Sequence, residues 1–129
     1  MNEIETKQIN FDGEFEGLVW PEIDVFDLDR YQDDKKIHLR TFRWRADTNG
    51  GKAQRKGVVF MLHGYGASNA NMCLLAKNLA LNLYDVYALD MRGQGESGGM
   101  RGNFETEETI YNDQWALIFE ACARDSIDT

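Results

Sequence analysis

Five consecutive apolar residues, Val58-Val59-Phe60-Met61-Leu62, run straight into His63-Gly64-Tyr65-Gly66, and this junction constrains the fold more than anything else in the sequence. A strand with one wet face alternates polar and apolar side chains. A run without alternation needs cover on both faces, as in a parallel sheet with helices above and below it. Two glycines directly after the strand allow a sharp turn. Beyond it, Met72, Leu75, Ala76, Leu79, Ala80 and Leu83 fall at i, i+3, i+4, i+7, i+8 and i+11, which predicts a helix over about 68–83. Asp85-Val86-Tyr87-Ala88-Leu89-Asp90 then reads as a second short strand. Phe104–Ala123 reads as a second helix, with Glu105, Glu107 and Glu108 where the positive helix end favours acidic groups. Ile110, Tyr111, Trp115, Leu117, Ile118, Ala121 and Cys122 give that helix one wide apolar side. Strand, helix, strand, helix in this order predicts a right-handed crossover and a largely parallel sheet.

Upstream, Val25–Tyr31 and Ile37–Trp44 are strand-like and flank the polar turn Gln32-Asp33-Asp34-Lys35, as in a β-hairpin. The second run changes parity, with Ile37 and Leu39 in one set and Phe42 and Trp44 in the other, so a bulge is expected near Arg40. Charge supports the pairing. Residues 1–34 carry a net −9, residues 35–63 a net +7 and the remainder −6, for −8 in all. An acidic block followed by a basic one fits adjacent strands that neutralise each other. It argues against a nucleic-acid partner, which would require an uncompensated basic face. Residues 1–22 read as an irregular acidic lead-in, and residues 23–129 as a single α/β unit, since a chain of 129 residues is at most one domain.

Two loops carry the functional signal. His63-Gly64-Tyr65-Gly66 leaves backbone N–H groups at the carboxyl end of the sheet, beside a helix N-terminus, where they can hold an oxyanion. Taken alone, the tetrapeptide reads equally well as a tight turn without chemistry. The second loop, Asp90-Met91-Arg92-Gly93-Gln94-Gly95-Glu96-Ser97-Gly98-Gly99, begins 27 residues after His63 and has the form D-x-R-G-x-G-x-S. Together with Gly99-Met100-Arg101-Gly102, these segments resemble the monoacylglycerol lipase and lysophospholipase-like branch of the α/β hydrolases, which includes caffeoylshikimate-esterase-like proteins. The resemblance covers roughly residues 25–123. It implies the N-terminal half of an α/β-hydrolase fold: a β-hairpin followed by β-α-β-α with parallel strands, the sheet left incomplete before the nucleophile strand. It further implies that the backbone N–H of Tyr65 contributes to an oxyanion hole, with His63, Gly64 and Gly66 supporting that loop. Asp90, Arg92, Gly93, Gly95 and Ser97 would stabilise the second loop.

Two motifs in that loop have the right letters in the wrong place. Gly95-Glu96-Ser97-Gly98-Gly99 spells G-x-S-x-G, but a nucleophile elbow joins a strand directly to a helix. Here the strand ends near Asp90 and the next helix starts near Phe104, which places Ser97 in mid-loop. Gly93-x-Gly95-x-x-Gly98 spells the dinucleotide fingerprint, yet it does not follow its strand directly. The position about 20 residues on, where an acidic residue should end a strand, lies inside a helix. After Ser97 the only serine is Ser126, and no histidine follows His63. A Ser-His-Asp triad is therefore not expected within these residues. His38 reads as a half-exposed strand residue.

The expectation is an N-terminal fragment of a serine hydrolase acting on carboxylic esters of the monoacylglycerol or lysophospholipid type, inactive alone. Hydrolase and acyltransferase chemistry both remain open. The alternatives are a non-catalytic binding or regulatory fragment and, at a lower rank, a nucleotide-binding α/β domain using Gly93–Gly98. An ester or lipid substrate is expected in the full-length form, with peripheral membrane contact compatible and no transmembrane segment. The start Met1-Asn2-Glu3-Ile4-Glu5 lacks the features of a signal peptide, and two isolated cysteines, Cys73 and Cys122, suit a reducing cytoplasm. No cofactor is expected, and no metal site, because no cysteine or histidine pair has ligand spacing. An apolar strand left at the sheet edge also predicts that the isolated chain is poorly soluble or dependent on a partner.

Overall fold

In the computed structural model, residues 23–66 and 72–125 are described. The acidic lead-in, the first residues of the expected helix from Ser68, and Ser126 lie outside them. The elements are β1 (Ile23–Gln32), β2 (Lys35–Trp44), β3 (Gly57–Leu62), α1 (Cys73–Leu81), β4 (Tyr84–Leu89) and α2 (Glu107–Asp125). The strands form one sheet in the order β1-β2-β4-β3, with β1–β2 and β2–β4 antiparallel and β3–β4 parallel. α1 is thus the crossover between two parallel neighbours, and the fold is the expected α/β arrangement with an open sheet. Among the described strands that sheet is mixed and not largely parallel, because the hairpin joins it through β2 antiparallel to β4.

The hairpin closes on Asp33 and Asp34, both with positive φ (48° and 61°). That is the backbone of a two-residue type I′ turn, whose twist matches the flanking strands. The charge blocks meet across the ladder. Asp24, Asp27 and Asp29 stand opposite Arg43, Arg40 and His38, and Asp24 and Asp27 pair with those arginines at 2.6 and 3.0 Å. His38 and Lys36 share Asp29 at 2.8 and 2.9 Å. Both hydrogen bonding and charge from Lys36 hold the Asp29 carboxyl below its ordinary pKa.

The register runs unbroken from Ile23↔Trp44 to Gln32↔Lys35, so the bulge expected at Arg40 is absent. The parity change has a different cause. From Thr41 onward β2 lies between β1 and β4, with a helix on each face. Trp44 faces α1 in a cluster with Met61, Ala76, Ala80, Val86 and Ala88. Leu39 faces α2 with Tyr87, Leu89, Leu117 and Ala121. Two-sided burial lets both parities be apolar on a regular strand.

Both helices depart from their predicted bounds, α1 stopping before Leu83 and α2 starting after Phe104 and running on to Asp125. α1 ends at Leu81, because Leu83 adopts φ +76 and leaves the helix, donating back to the Ala80 carbonyl at 3.2 Å. Its core face is Ala76, Ala80 and Leu81, whereas Leu75 is exposed. α2 begins at Glu107 rather than Phe104. Glu105 has φ +69, and Thr106 caps the helix by accepting from the Thr109 amide at 3.1 Å. Leu117 and Ala121 are buried with Asp113, while Tyr111, Trp115 and Phe119 are exposed on the opposite flank. Among the described residues β3 pairs only with β4, so its other edge is open and Leu62 is 46% exposed.

Candidate functional site

The parallel pairing of β3 and β4 brings their carboxyl ends side by side, so the loops after Leu62 and Leu89 meet. The second loop follows from what β2 lacks. β4 pairs with β2 only as far as Thr41↔Leu89. Beyond that point the main chain of Arg40 and His38 needs other partners, and the loop supplies them. Asp90 N–H donates to the Arg40 carbonyl (2.9 Å), Gly98 N–H to the His38 carbonyl (2.7 Å), and the Arg40 amide to Ser97 Oγ (2.8 Å). The loop therefore extends the sheet in irregular form and gives the main-chain groups of Arg40 and His38 their partners.

Its glycines are set by this closure. A Cβ on Gly93 (φ +77) would sit 2.4 Å from the Met100 carbonyl oxygen, and one on Gly95 (φ +51) would sit 2.4 Å from Asp90 Oδ2. The Gly93 and Gly98 amides donate within the fold, Gly93 to the Gly98 carbonyl at 2.8 Å, and so neither is turned outward to a phosphate.

The remaining loop residues are fixed in place. The Asp90 side chain is buried, and its Oδ2 accepts from the Glu96 amide at 2.9 Å. Ser97 is 3% exposed, its hydroxyl accepting from Arg40 N–H and donating to the Asp90 carbonyl. Arg92 is 3% exposed and uses a fork on Asp113, with Nε and Nη2 both at 2.8 Å, while Nη1 reaches Glu105 and the Tyr31 carbonyl at 3.0 Å. Hydrogen bonding to Asp113 raises the Arg92 pKa above its ordinary value, against the opposing effect of burial. Asp113 also accepts from Arg30 at 3.0 Å, which joins β1, the loop and α2 in one buried cluster. The sequence held a signal for this partner: a lone aspartate on the Leu117–Ala121 stripe of a helix must be paired if it is buried.

The first loop leans on the second at four points. His63 is buried, and its Nε2 accepts from Met91 N–H at 2.8 Å. The ring proton is therefore on Nδ1, which donates to the Gly64 carbonyl at 2.8 Å. Gly66 (φ +80) donates its amide to Gln94 Oε1 at 2.8 Å. Tyr65 is 68% exposed, its hydroxyl donating to the Gly102 carbonyl at 3.1 Å and its ring meeting Phe104 edge-on at 5.8 Å. No described residue accepts from the Tyr65 amide. Gln94 carried no signal in the sequence beyond lying between two glycines.

A family model described as serine aminopeptidase, S33, matches residues 53–127, more than half of the chain and both loops. The chain belongs to this family. Members of the serine aminopeptidase S33 family share the α/β-hydrolase fold, and solved structures agree. A soluble variant of monoglyceride lipase from Saccharomyces cerevisiae, in complex with a substrate analog, superposes with a TM-score of 0.62 at 22% identity, over 86% of this chain and 35% of the lipase. A thermostable carboxyl esterase from Bacillus coagulans, in complex with glycerol, gives 0.61 at 16% identity, over 78% of this chain and 32% of the esterase. An esterase from Pyrococcus furiosus gives 0.54 at 24% identity, over 80% and 38%. At these identities the likeness establishes the fold. The S33-family residues described here span about a third of the length of the lipase and the Bacillus esterase. No curated protein sequence matches significantly.

A cavity of about 390 Å³ lies at the opposite end of the strands, lined by Arg45, Arg55, Asp85, Arg124 and Asp125 among others. Its charges are already paired, Arg45 with Asp125 at 3.0 Å and Arg55 with Asp85. Among the described residues no cluster of metal-ligating side chains is present, and no helix is long and apolar enough to cross a membrane.

Proposed function

We propose that these residues form the oxyanion-loop wall of a serine-hydrolase site that cleaves carboxylic esters of the monoacylglycerol or lysophospholipid type. The observation carrying this reading is the Tyr65 amide, placed at the carboxyl end of β3 with no acceptor among the described residues. A tetrahedral intermediate places its negative charge on the former carbonyl oxygen, and an N–H held in advance stabilises that charge without reorganising. Tyr65 N–H lies trans to the Gly64 carbonyl in one peptide plane. By holding that carbonyl, His63 fixes the direction of the amide. His63 has both ring nitrogens engaged and is a support, not the base. Asp90, Arg92, Gly93, Gly95 and Ser97 hold the second loop against the first.

The nucleophile, the acid and the catalytic histidine are contributed by sequence outside these 129 residues, and the 129-residue polypeptide alone is inactive. The reading includes a cytoplasmic protein with peripheral access to lipid. Free thiols at Cys73 and Cys122 support the compartment. Nucleic acid is not a partner, since the arginines of β2 are taken up by β1 aspartates. A fluorophosphonate probe tests the proposal, because it labels only an activated serine. The longest product of the gene should label, the 129-residue polypeptide should not, and a monoacylglycerol should compete. Labelling at Ser97 would overturn the proposal. Competition by a peptide amide but by no ester would replace the substrate class with that of an aminopeptidase.

A further inference from the structure

Gln94 is 7% exposed, and its two polar atoms have different fates. Oε1 accepts the Gly66 amide at 2.8 Å, while Nε2 has no hydrogen-bond partner. A buried carboxamide with an unmet donor is a poor choice for stability, since an apolar side chain of similar shape avoids burying that donor and the Gly66 amide it would release is exposed to water. Functional sites are where a fold is expected to break a local stability rule. The one bond that the Gln94 side chain makes falls on the peptide plane after Tyr65, whereas His63 holds the plane before it through the Gly64 carbonyl at 2.8 Å. Tyr65 Cα therefore joins two held planes: the one that contains the Tyr65 amide is fixed by His63, itself braced by Met91 N–H, and the next is fixed by Gln94. Gly66 is exposed and at φ +80, so without Gln94 its plane would be free to turn in water.

We propose that Gln94 is a positioning residue that aims the Tyr65 amide at the developing oxyanion, acting through Gly66 and without touching the reacting atoms. This rests on the oxyanion-loop reading above. The test compares wild type with Gln94→Met, of similar length but without an acceptor, and with Gln94→Glu, which keeps an acceptor for Gly66 but adds a charge. Measured on the longest gene product with a short-chain monoacylglycerol, Gln94→Met should lower kcat about tenfold or more while KM stays within about twofold, a loss confined to the transition state. The melting temperature should hold or rise, because the unmet donor is gone. By amide exchange, Gly66 should lose protection in Gln94→Met and retain it in Gln94→Glu, while α1 and α2 do not change. Unchanged kcat, or a fall in kcat that follows a fall in melting temperature, would overturn the proposal. So would unchanged Gly66 exchange, a readout that does not depend on activity. Failure of the wild type to react with a fluorophosphonate would instead refute the serine-hydrolase reading, and the exchange result would still decide whether Gln94 holds the loop.

Discussion

Replacing Ser97 with alanine separates a structural serine from a catalytic one, and its cost can be worked out in advance. The hydroxyl sits between two main-chain groups, accepting from Arg40 N–H at 2.8 Å and donating to the Asp90 carbonyl, with 3% of the residue exposed. Alanine removes one oxygen atom, too little volume to admit a water with partners of its own. Both backbone groups then lose their partner in a buried setting. An unsatisfied buried group costs about 1–3 kcal/mol. Arg40 is only partly buried, so its amide falls at the low end of that range. The sum is about 2–4 kcal/mol, at the upper end of single-substitution effects. The assay is urea unfolding of the longest gene product, read as a shift in midpoint at constant slope. Fluorophosphonate labelling is measured in parallel below the transition. The expected result is a large loss of stability with labelling intact. A loss under about 0.5 kcal/mol, or abolished labelling in a protein of wild-type stability, would refute the account of Ser97 as the bridge from the loop to β2.

The other expectations concern the buried charges and the open edge. Asp113→Ala leaves Arg92 buried without its fork and should cost about 3–5 kcal/mol in urea unfolding. Adding Arg92→Met should restore a large part of that, and a double variant no better than the single would show the pair is not coupled. The 129-residue polypeptide alone should self-associate through the open edge of β3 and the exposed Trp115 and Phe119 on α2. Trp115→Glu with Phe119→Glu should increase the monomeric fraction seen by light scattering. A soluble wild-type monomer with a sharp cooperative melt would contradict this.

Much of the fold could be read from local pattern. The unalternating Val58–Leu62 run is a strand with apolar neighbours on both faces, Val59 and Met61 in the α1 cluster and Val58 and Phe60 in the α2 cluster, although only Met61 is fully buried. The opposed charge blocks belong to strands that face each other. The hairpin turn, the strand–helix–strand order and the two glycine loops follow from interactions within a few residues, which is the range over which sequence periodicity carries information. The bulge at Arg40 was misread because a single strand's pattern does not show when it passes from one covered face to two. One end of each helix differs for a related reason: Leu83 and Phe104 are apolar in rhythm, but backbone turns at Leu83 and Glu105 take them out of the helix.

The site divided in the same way. Glycine spacing marked both loops, because a residue without Cβ is demanded wherever the chain folds back on itself at Gly93 and Gly95. What aims the Tyr65 amide could not be read there. Its supports, Met91 N–H on His63 and Gln94 on Gly66, reach across 28 residues of sequence and act through atoms that every residue has or through a side chain with no distinctive pattern. Only the parallel pairing of β3 with β4 brings those atoms within 3 Å of each other. The sequence therefore determined which loops exist and where they turn. Tertiary structure alone decided which way their backbone groups point, since hydrogen bonds between distant segments depend on register and not on composition.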